Sequence, residues 1–184
     1  MYALFVKKTA FIWVIAGILL MALPPSLAKT DEVVVAVATN FLLPARAIAA
    51  EVEENTGHSV VLVAGATGKL ATQIQAGAPF DVFQAADQAR PELLEEKNAA
   101  VAGSRFTYAI GTLVLWSRDK LPLTGTALAS LDTMRVSRLA IANPKLAPYG
   151  LAAEQALDRL GFLKPFSGRF VYGENIGQTF AMAA

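Results

Sequence analysis

Short runs of apolar and β-branched residues alternate along the chain with longer segments rich in Ala and Leu. The run 32–39, EVVVAVAT, predicts a buried strand because half of its residues are valine. The segment 41–57, FLLPARAIAAEVEENTG, predicts a helix that ends at Gly57. Pro44 fits only near a first turn, so this helix has to begin close to Asn40. Such alternation is typical of βα units with parallel strands.

The pattern continues to about residue 107. It predicts a strand at 58–65, a helix at 68–77, a strand at 80–86 and a helix at 91–99. The following run, TYAIGTLVLWS at 107–117, is extended and contains Gly111. A glycine within such a run marks a bend or a close approach, and we interpret the run as the passage between two lobes.

The second half repeats the alternation. It predicts a turn and short helix at 125–134, a strand at 137–144, a helix at 149–161, a strand at 168–173 and a helix that starts within 174–184. The prediction is therefore an α/β protein with one lobe over residues 29–107 and a second, incomplete lobe over residues 108–184.

The first 28 residues have the layout of a cleavable secretory signal. Two lysines precede an apolar run at 10–23, and the small residues Ser26 and Ala28 follow. The alternative is an uncleaved membrane anchor, but the two prolines after the run and the small residues favour cleavage. The sequence has no cysteine for a lipid or a disulfide. We therefore expect a periplasmic protein.

Charge and catalytic chemistry exclude several classes of function. Removing the signal takes two of sixteen basic residues and none of the fifteen acidic ones, so the formal charge is about −1 and no nucleic-acid surface is expected.

His58 is the sole histidine, and Asp81 within a strand and Asp87 before a helix are expected to have packing and turn roles. No catalytic triad or metal set can be built. We predict that the protein is not an enzyme and uses no cofactor; an extracytoplasmic phosphate-ester hydrolase is the alternative from another class.

The turn GATGK at 65–69 resembles a nucleotide P-loop only in part. That motif needs a glycine at 63 and Ser or Thr after the lysine, whereas this chain has Val63 and Leu70. A turn this short could wrap one small anion. Lys69, in the first turn of the predicted helix, is expected to be exposed.

Four strand-to-helix turns hold small, hydroxyl or amide residues: 38–41, 65–69, 147–150 and 173–177. The N-terminus of a helix presents unpaired backbone N–H groups and a partial positive charge, so it binds anions. Taken singly, these residues are also ordinary caps and turn residues. Four such turns at one cleft would form a cage for an oxyanion.

The segments ATNF, GATGKLATQIQAGAPFDVFQAADQ, NPKLAPYG and GENIGQTF, in this order and spacing, resemble the periplasmic molybdate-binding proteins of bacterial ABC transporters. The similarity runs from about Val33 to Ala181. It implies a type 2 periplasmic-binding-protein-like fold, with two α/β lobes closing on the ligand in the cleft between them. It also implies molybdate or tungstate as ligand, a membrane permease as partner, and a monomer.

The resemblance also implies which residues hold the ligand. Thr39 and Asn40 match the first binding turn and Thr67 the hydroxyl of the second. Tyr149 matches a residue that binds through its backbone N–H and phenol, and Ile176 one that binds through its N–H. These five residues would contact the oxygens of the oxyanion, and none of them would ligate the metal directly.

Sulfate or phosphate is the alternative ligand. Molybdate and sulfate carry no proton at neutral pH and suit a site of donors, whereas monohydrogen phosphate needs an acceptor, for which Glu174 lies close in sequence. Members of the family continue beyond the helix that follows the ENI segment and cross back to the first lobe. This chain ends at Ala184, so a non-functional fragment is a further alternative.

Overall fold

Two parallel sheets make up the computed structural model, which describes residues 31–118, 131 and 136–184. In the first sheet the order is β2 (Ser59–Gly65), β1 (Glu32–Ala38), β3 (Val82–Gln84). Both neighbours run parallel to β1, with Glu32 opposite Ser59 and Val35 opposite Val82. The strand predicted at the start of the chain is therefore the central strand of this sheet.

Three helices follow the strands of the first sheet as predicted. They are α1 (Leu42–Thr56), α2 (Thr67–Gln75) and α3 (Ala89–Glu96), and a 3-10 turn over Thr39–Phe41 leads into α1. Gly57 ends α1 in the left-handed conformation, with φ of 73°.

The second sheet has two parallel strands, β4 (Leu139–Ala142) and β5 (Phe170–Gly173). Two helices, α4 (Pro148–Arg159) and α5 (Ile176–Ala183), follow these strands as predicted. Its core is a cluster of Leu131, Leu157 and Phe166, and the Phe166 side chain is fully buried.

Contacts within Glu32–Ala184 join both sheets into one unit, and the lobe boundary at 107/108 stays a prediction. The predicted signal at 1–28 lies outside the described residues, as does the helix predicted at 125–134 apart from Leu131. None of the helices in the described ranges combines the length and hydropathy needed to cross a membrane.

One local expectation differs from the structure. Asp81 was expected within a strand, but β3 begins at Val82. Asp81 instead binds the backbone of Val34 twice, donating its N–H to the carbonyl at 2.9 Å and accepting the N–H on its carboxylate at 2.8 Å. It fastens the start of β3 to β1. The run 107–117 belongs to no strand of the two sheets, and its role as a passage between lobes stays a prediction.

Candidate functional site

The four strand-to-helix turns meet at one small cavity at the carboxyl ends of the strands. The centre of a water molecule can occupy a volume of about 10 Å³ in this cavity, so the cavity has room for about one water. The lining residues come from all four turns and from the end of β3: Ala38, Thr39, Asn40, Gly65, Ala66, Thr67, Ala86, Ala147, Pro148, Tyr149, Asn175 and Ile176. All five site residues predicted from the sequence are among them.

The lining of this cavity carries no charged side chain. Its polar groups are the threonine hydroxyls and asparagine amides of the lining residues and the backbone at three helix starts. Thr67 is 1% exposed, and the neighbouring Ala66 and Ala147 are also buried. Around the buried Thr67 a hydrogen bond to an anion is stronger than it would be in water.

Three helices begin at the cavity wall. Thr67 is the first residue of α2 and Ile176 the first residue of α5. Tyr149 is the second residue of α4, and its N–H is the first that this helix offers because Pro148 has none. N–H groups in these positions have no acceptor within their own helix. Each helix start also adds a partial positive charge, so the cavity favours an anion.

The two threonines of the site differ in what their hydroxyl groups can do. Thr67 Oγ1 accepts a hydrogen bond from the Ala86 N–H at 3.1 Å, which leaves its own proton free to be donated. Thr39 Oγ1 donates to the Gly65 carbonyl at 3.2 Å, so its proton is already in use. Of the two threonines, Thr67 is therefore the one whose hydroxyl proton is free, and Thr39 ties the ends of β1 and β2 together.

The second turn is fastened to the turns of the second sheet. The Gly68 N–H donates to the Leu146 carbonyl at 2.9 Å, and a Cβ at Gly68 would lie only 2.8 Å from that oxygen. Lys69 is exposed, as predicted, and its Nζ pairs with Glu174 Oε1 at 2.7 Å. The Glu174 carboxylate is thus held by Lys69 and does not line the cavity.

Asn175 is a lining residue that the sequence reasoning missed. It precedes α5, and its Oδ1 accepts the Gln178 N–H at 3.0 Å, which makes it the N-cap of that helix. An Asn directly before a predicted helix was the available signal. Ala86 had no such signal, because its role depends on β3 lying beside β1.

Tyr108, from the run 107–117, lies near Tyr149 and packs against Phe41. The Tyr108 phenol donates to the Ala85 carbonyl at 2.8 Å, and its ring packs on Phe41 with centroids 4.7 Å apart. Burial raises the pKa of the Tyr108 phenol above its ordinary value, and the Tyr149 phenol raises it further.

The other charged or titratable candidates lie outside this cavity. His58 and the carboxylates Glu51, Glu53 and Glu54 are exposed. Asp87 accepts the Arg90 N–H at 3.1 Å and pairs with its guanidinium, which confirms a turn role. Within the described ranges, no three or more His, Cys, Asp or Glu residues come together to hold a metal ion.

Known proteins of one family resemble this chain. The molybdate-binding protein ModA of Azotobacter vinelandii is 48% identical over 157 residues, which are 85% of this chain and 62% of that protein. ModA of Rhodobacter capsulatus is 44% identical over 164 residues, which are 89% of this chain and 63% of that protein. The chain therefore spans less than two thirds of the length of these relatives.

Solved structures agree with the sequence comparison. The Azotobacter vinelandii periplasmic molybdate-binding protein superposes with a TM-score of 0.75 and 40% identity, over 83% of this chain and 66% of that one. The substrate-binding domain of a putative molybdenum ABC transporter from Clostridium difficile, at 23% identity and a TM-score of 0.59 over the same shares, has the same fold. The predicted α/β fold of the type 2 periplasmic binding proteins is confirmed. Residues 33–184 also match the model of the bacterial extracellular solute-binding proteins, and the chain belongs to that family.

Proposed function

We propose that the protein binds molybdate in the periplasm and delivers it to the membrane permease of an ABC transporter, without catalysis. The observation that carries this proposal is the meeting of four turns, three of which start helices of eight residues or more, at one cavity free of charged side chains. A cavity lined by N–H and O–H donors stabilises a group that only accepts hydrogen bonds.

Molybdate is the oxyanion that agrees both with the donors of this cavity and with the ligand named for the known relatives. Molybdate, tungstate and sulfate are fully deprotonated at neutral pH and accept hydrogen bonds on all four oxygens. The relatives that are 44% and 48% identical are named molybdate-binding proteins, which favours molybdate over sulfate. Tungstate has nearly the same size and charge, and we expect it to compete.

Each predicted site residue has a defined part in this proposal. Thr67 donates through its hydroxyl, whose acceptor side is occupied by Ala86. Tyr149 and Ile176 donate through the backbone N–H groups of their helix starts. Thr39 and Asn40 close the cavity from the end of β1, with the Asn40 amide as a further donor.

Phosphate is disfavoured by the same donors. Monohydrogen phosphate carries a proton that needs an acceptor, and no carboxylate lines the cavity. The nearest candidate, Glu174, is paired with Lys69 at 2.7 Å. A buried O–H without a partner costs about 1–3 kcal/mol, which disfavours phosphate by about 5- to 150-fold.

Ligand capture requires some opening of the cavity. The cavity has room for about one water, whereas molybdate has four oxygens around its metal. The turns on the two sheets therefore have to move apart for the ligand to enter. The contacts between Gly68 and Leu146 and between Lys69 and Glu174 would then lengthen or break, because they join those turns in this structure.

Isothermal titration of the purified protein with molybdate, tungstate, sulfate and phosphate tests the proposal. We expect one-to-one binding of molybdate and tungstate, weaker binding of sulfate and the weakest binding of phosphate. Thr67→Ala should weaken molybdate binding, whereas Thr72→Ala should not. Thr72 lies on the same helix with its hydroxyl on the Gly68 carbonyl at 2.9 Å, outside the cavity lining. Binding of phosphate alone, or equal effects of the two variants, would overturn the proposal.

A further inference from the structure

Gly111 and Tyr149 approach each other closely although they lie on different segments. Gly111 belongs to the run 107–117, and Tyr149 to the first turn of α4. A Cβ built on Gly111 would overlap the hydroxyl oxygen of Tyr149, while the next nearest atom, the Cζ of the same ring, would lie 3.4 Å away. The phenol therefore occupies the space that any side chain at position 111 would fill.

The orientation of Tyr149 matters because this residue lines the cavity. Its side chain and its backbone N–H belong to the same short turn, directly after Pro148 and two residues before the exposed Leu151. A ring displaced from position 111 can rotate about its side-chain bonds, which changes what surrounds the cavity, or pull on the first turn of α4. A pull on that turn would move the N–H donor.

The segment that carries Gly111 is itself held in place. Three residues before Gly111, the Tyr108 hydroxyl donates to the Ala85 carbonyl at 2.8 Å, at the end of β3. The Tyr108 ring also packs on Phe41 beside the first turn, with centroids 4.7 Å apart. This anchor at Tyr108 limits how far position 111 can move away from the phenol, although the neighbouring Ile110 is exposed.

We propose that Gly111 is a positioning residue for the oxyanion site. Because glycine has no side chain, the Tyr149 phenol can occupy the space beside it, and this contact holds the phenol and the start of α4 in place. This inference rests on the proposed function of the cavity. It concerns a residue that does not line the cavity and would act only through Tyr149.

A double-mutant cycle tests the inference, because the overlap involves the hydroxyl oxygen alone. In Tyr149→Phe that oxygen is gone, and a Cβ at position 111 would meet the ring at 3.4 Å, an ordinary contact. We expect Gly111→Ala to weaken molybdate binding by about tenfold or more in the wild-type background, the loss expected for a misplaced donor to an anion. In the Tyr149→Phe background the same change should weaken binding by less than about twofold. Thr112→Ala, on the same segment, is the matched control and should bind as the wild type does.

The melting temperature of the four proteins of the cycle provides a readout that needs no ligand. We expect Gly111→Ala to lower it in the wild-type background but not in the Tyr149→Phe background. An equal effect of Gly111→Ala in both backgrounds, or no effect in either, would overturn the inference. Should the wild type itself fail to bind molybdate, the proposed function fails, and the melting temperatures still decide whether Gly111 places Tyr149.

Discussion

Replacing Thr67 by valine removes one hydroxyl from the cavity at almost constant volume. Thr67 is 1% exposed, and its Oγ1 accepts the Ala86 N–H at 3.1 Å. The proton that this oxygen can donate to the ligand is lost. A hydrogen bond to a charged group contributes about 1.5–3 kcal/mol, so we expect molybdate to bind about 10- to 150-fold more weakly.

The same substitution also leaves the Ala86 N–H without its partner. An unpaired donor costs about 1–3 kcal/mol, and we expect the free energy of unfolding to fall by the lower part of that range because Ala86 is only half-buried. Affinity and stability should therefore both decrease, for two separate reasons.

Titration calorimetry and urea unfolding measure the two effects independently. Thr67→Ser is the control, since it keeps the hydroxyl and should bind molybdate within a few-fold of the wild type. A Thr67→Val protein that loses stability but keeps wild-type affinity would show that the hydroxyl only supports Ala86. That result would refute the assignment of Thr67 as a ligand donor.

Three further predictions concern stability and are measured by urea unfolding. For the exposed pair Lys69–Glu174, a cycle with Lys69→Met and Glu174→Gln should give a coupling energy of about 0.2–1 kcal/mol that salt abolishes; a coupling insensitive to salt would contradict this. Because the pKa of Tyr108 is raised in the folded state above its ordinary value of 10.0, the folded protein keeps that proton where the unfolded chain loses it. Stability should thus be lost as the pH rises through and above that value, and Tyr108→Phe should lose less. Phe166→Ala should cost about 3–5 kcal/mol because its ring is fully buried, and a cost below about 1 kcal/mol would show that the cluster can collapse around the gap.

The local elements could be predicted from the sequence because they depend on neighbours in the chain. Val-rich runs formed β1 and β2, and Gly57 ended the first helix in the left-handed conformation that glycine favours. Asp81 was misplaced for the same reason: its surroundings in sequence are those of a strand, and its attachment to Val34 depends on a partner 47 residues away.

The resemblance to a family supplied the five predicted site residues, but the contacts that distinguish them needed the structure. Sequence alone makes Thr39 and Thr67 equivalent, since both are threonines at strand-to-helix turns. The structure separates them by their partners, Gly65 for one and Ala86 for the other. Which hydroxyl proton is free depends on where those backbone groups lie.

By itself the sequence determined the strands and helices of the described ranges and the turns with helix N-termini, because each follows from residue type and local spacing. Only the tertiary structure decided that the four turns share one cavity, that Lys69 holds Glu174 outside it, and that Gly111 makes room for Tyr149. These partners lie tens of residues apart in the chain. Packing of the two sheets and their helices brings them together, and no local pattern encodes that geometry.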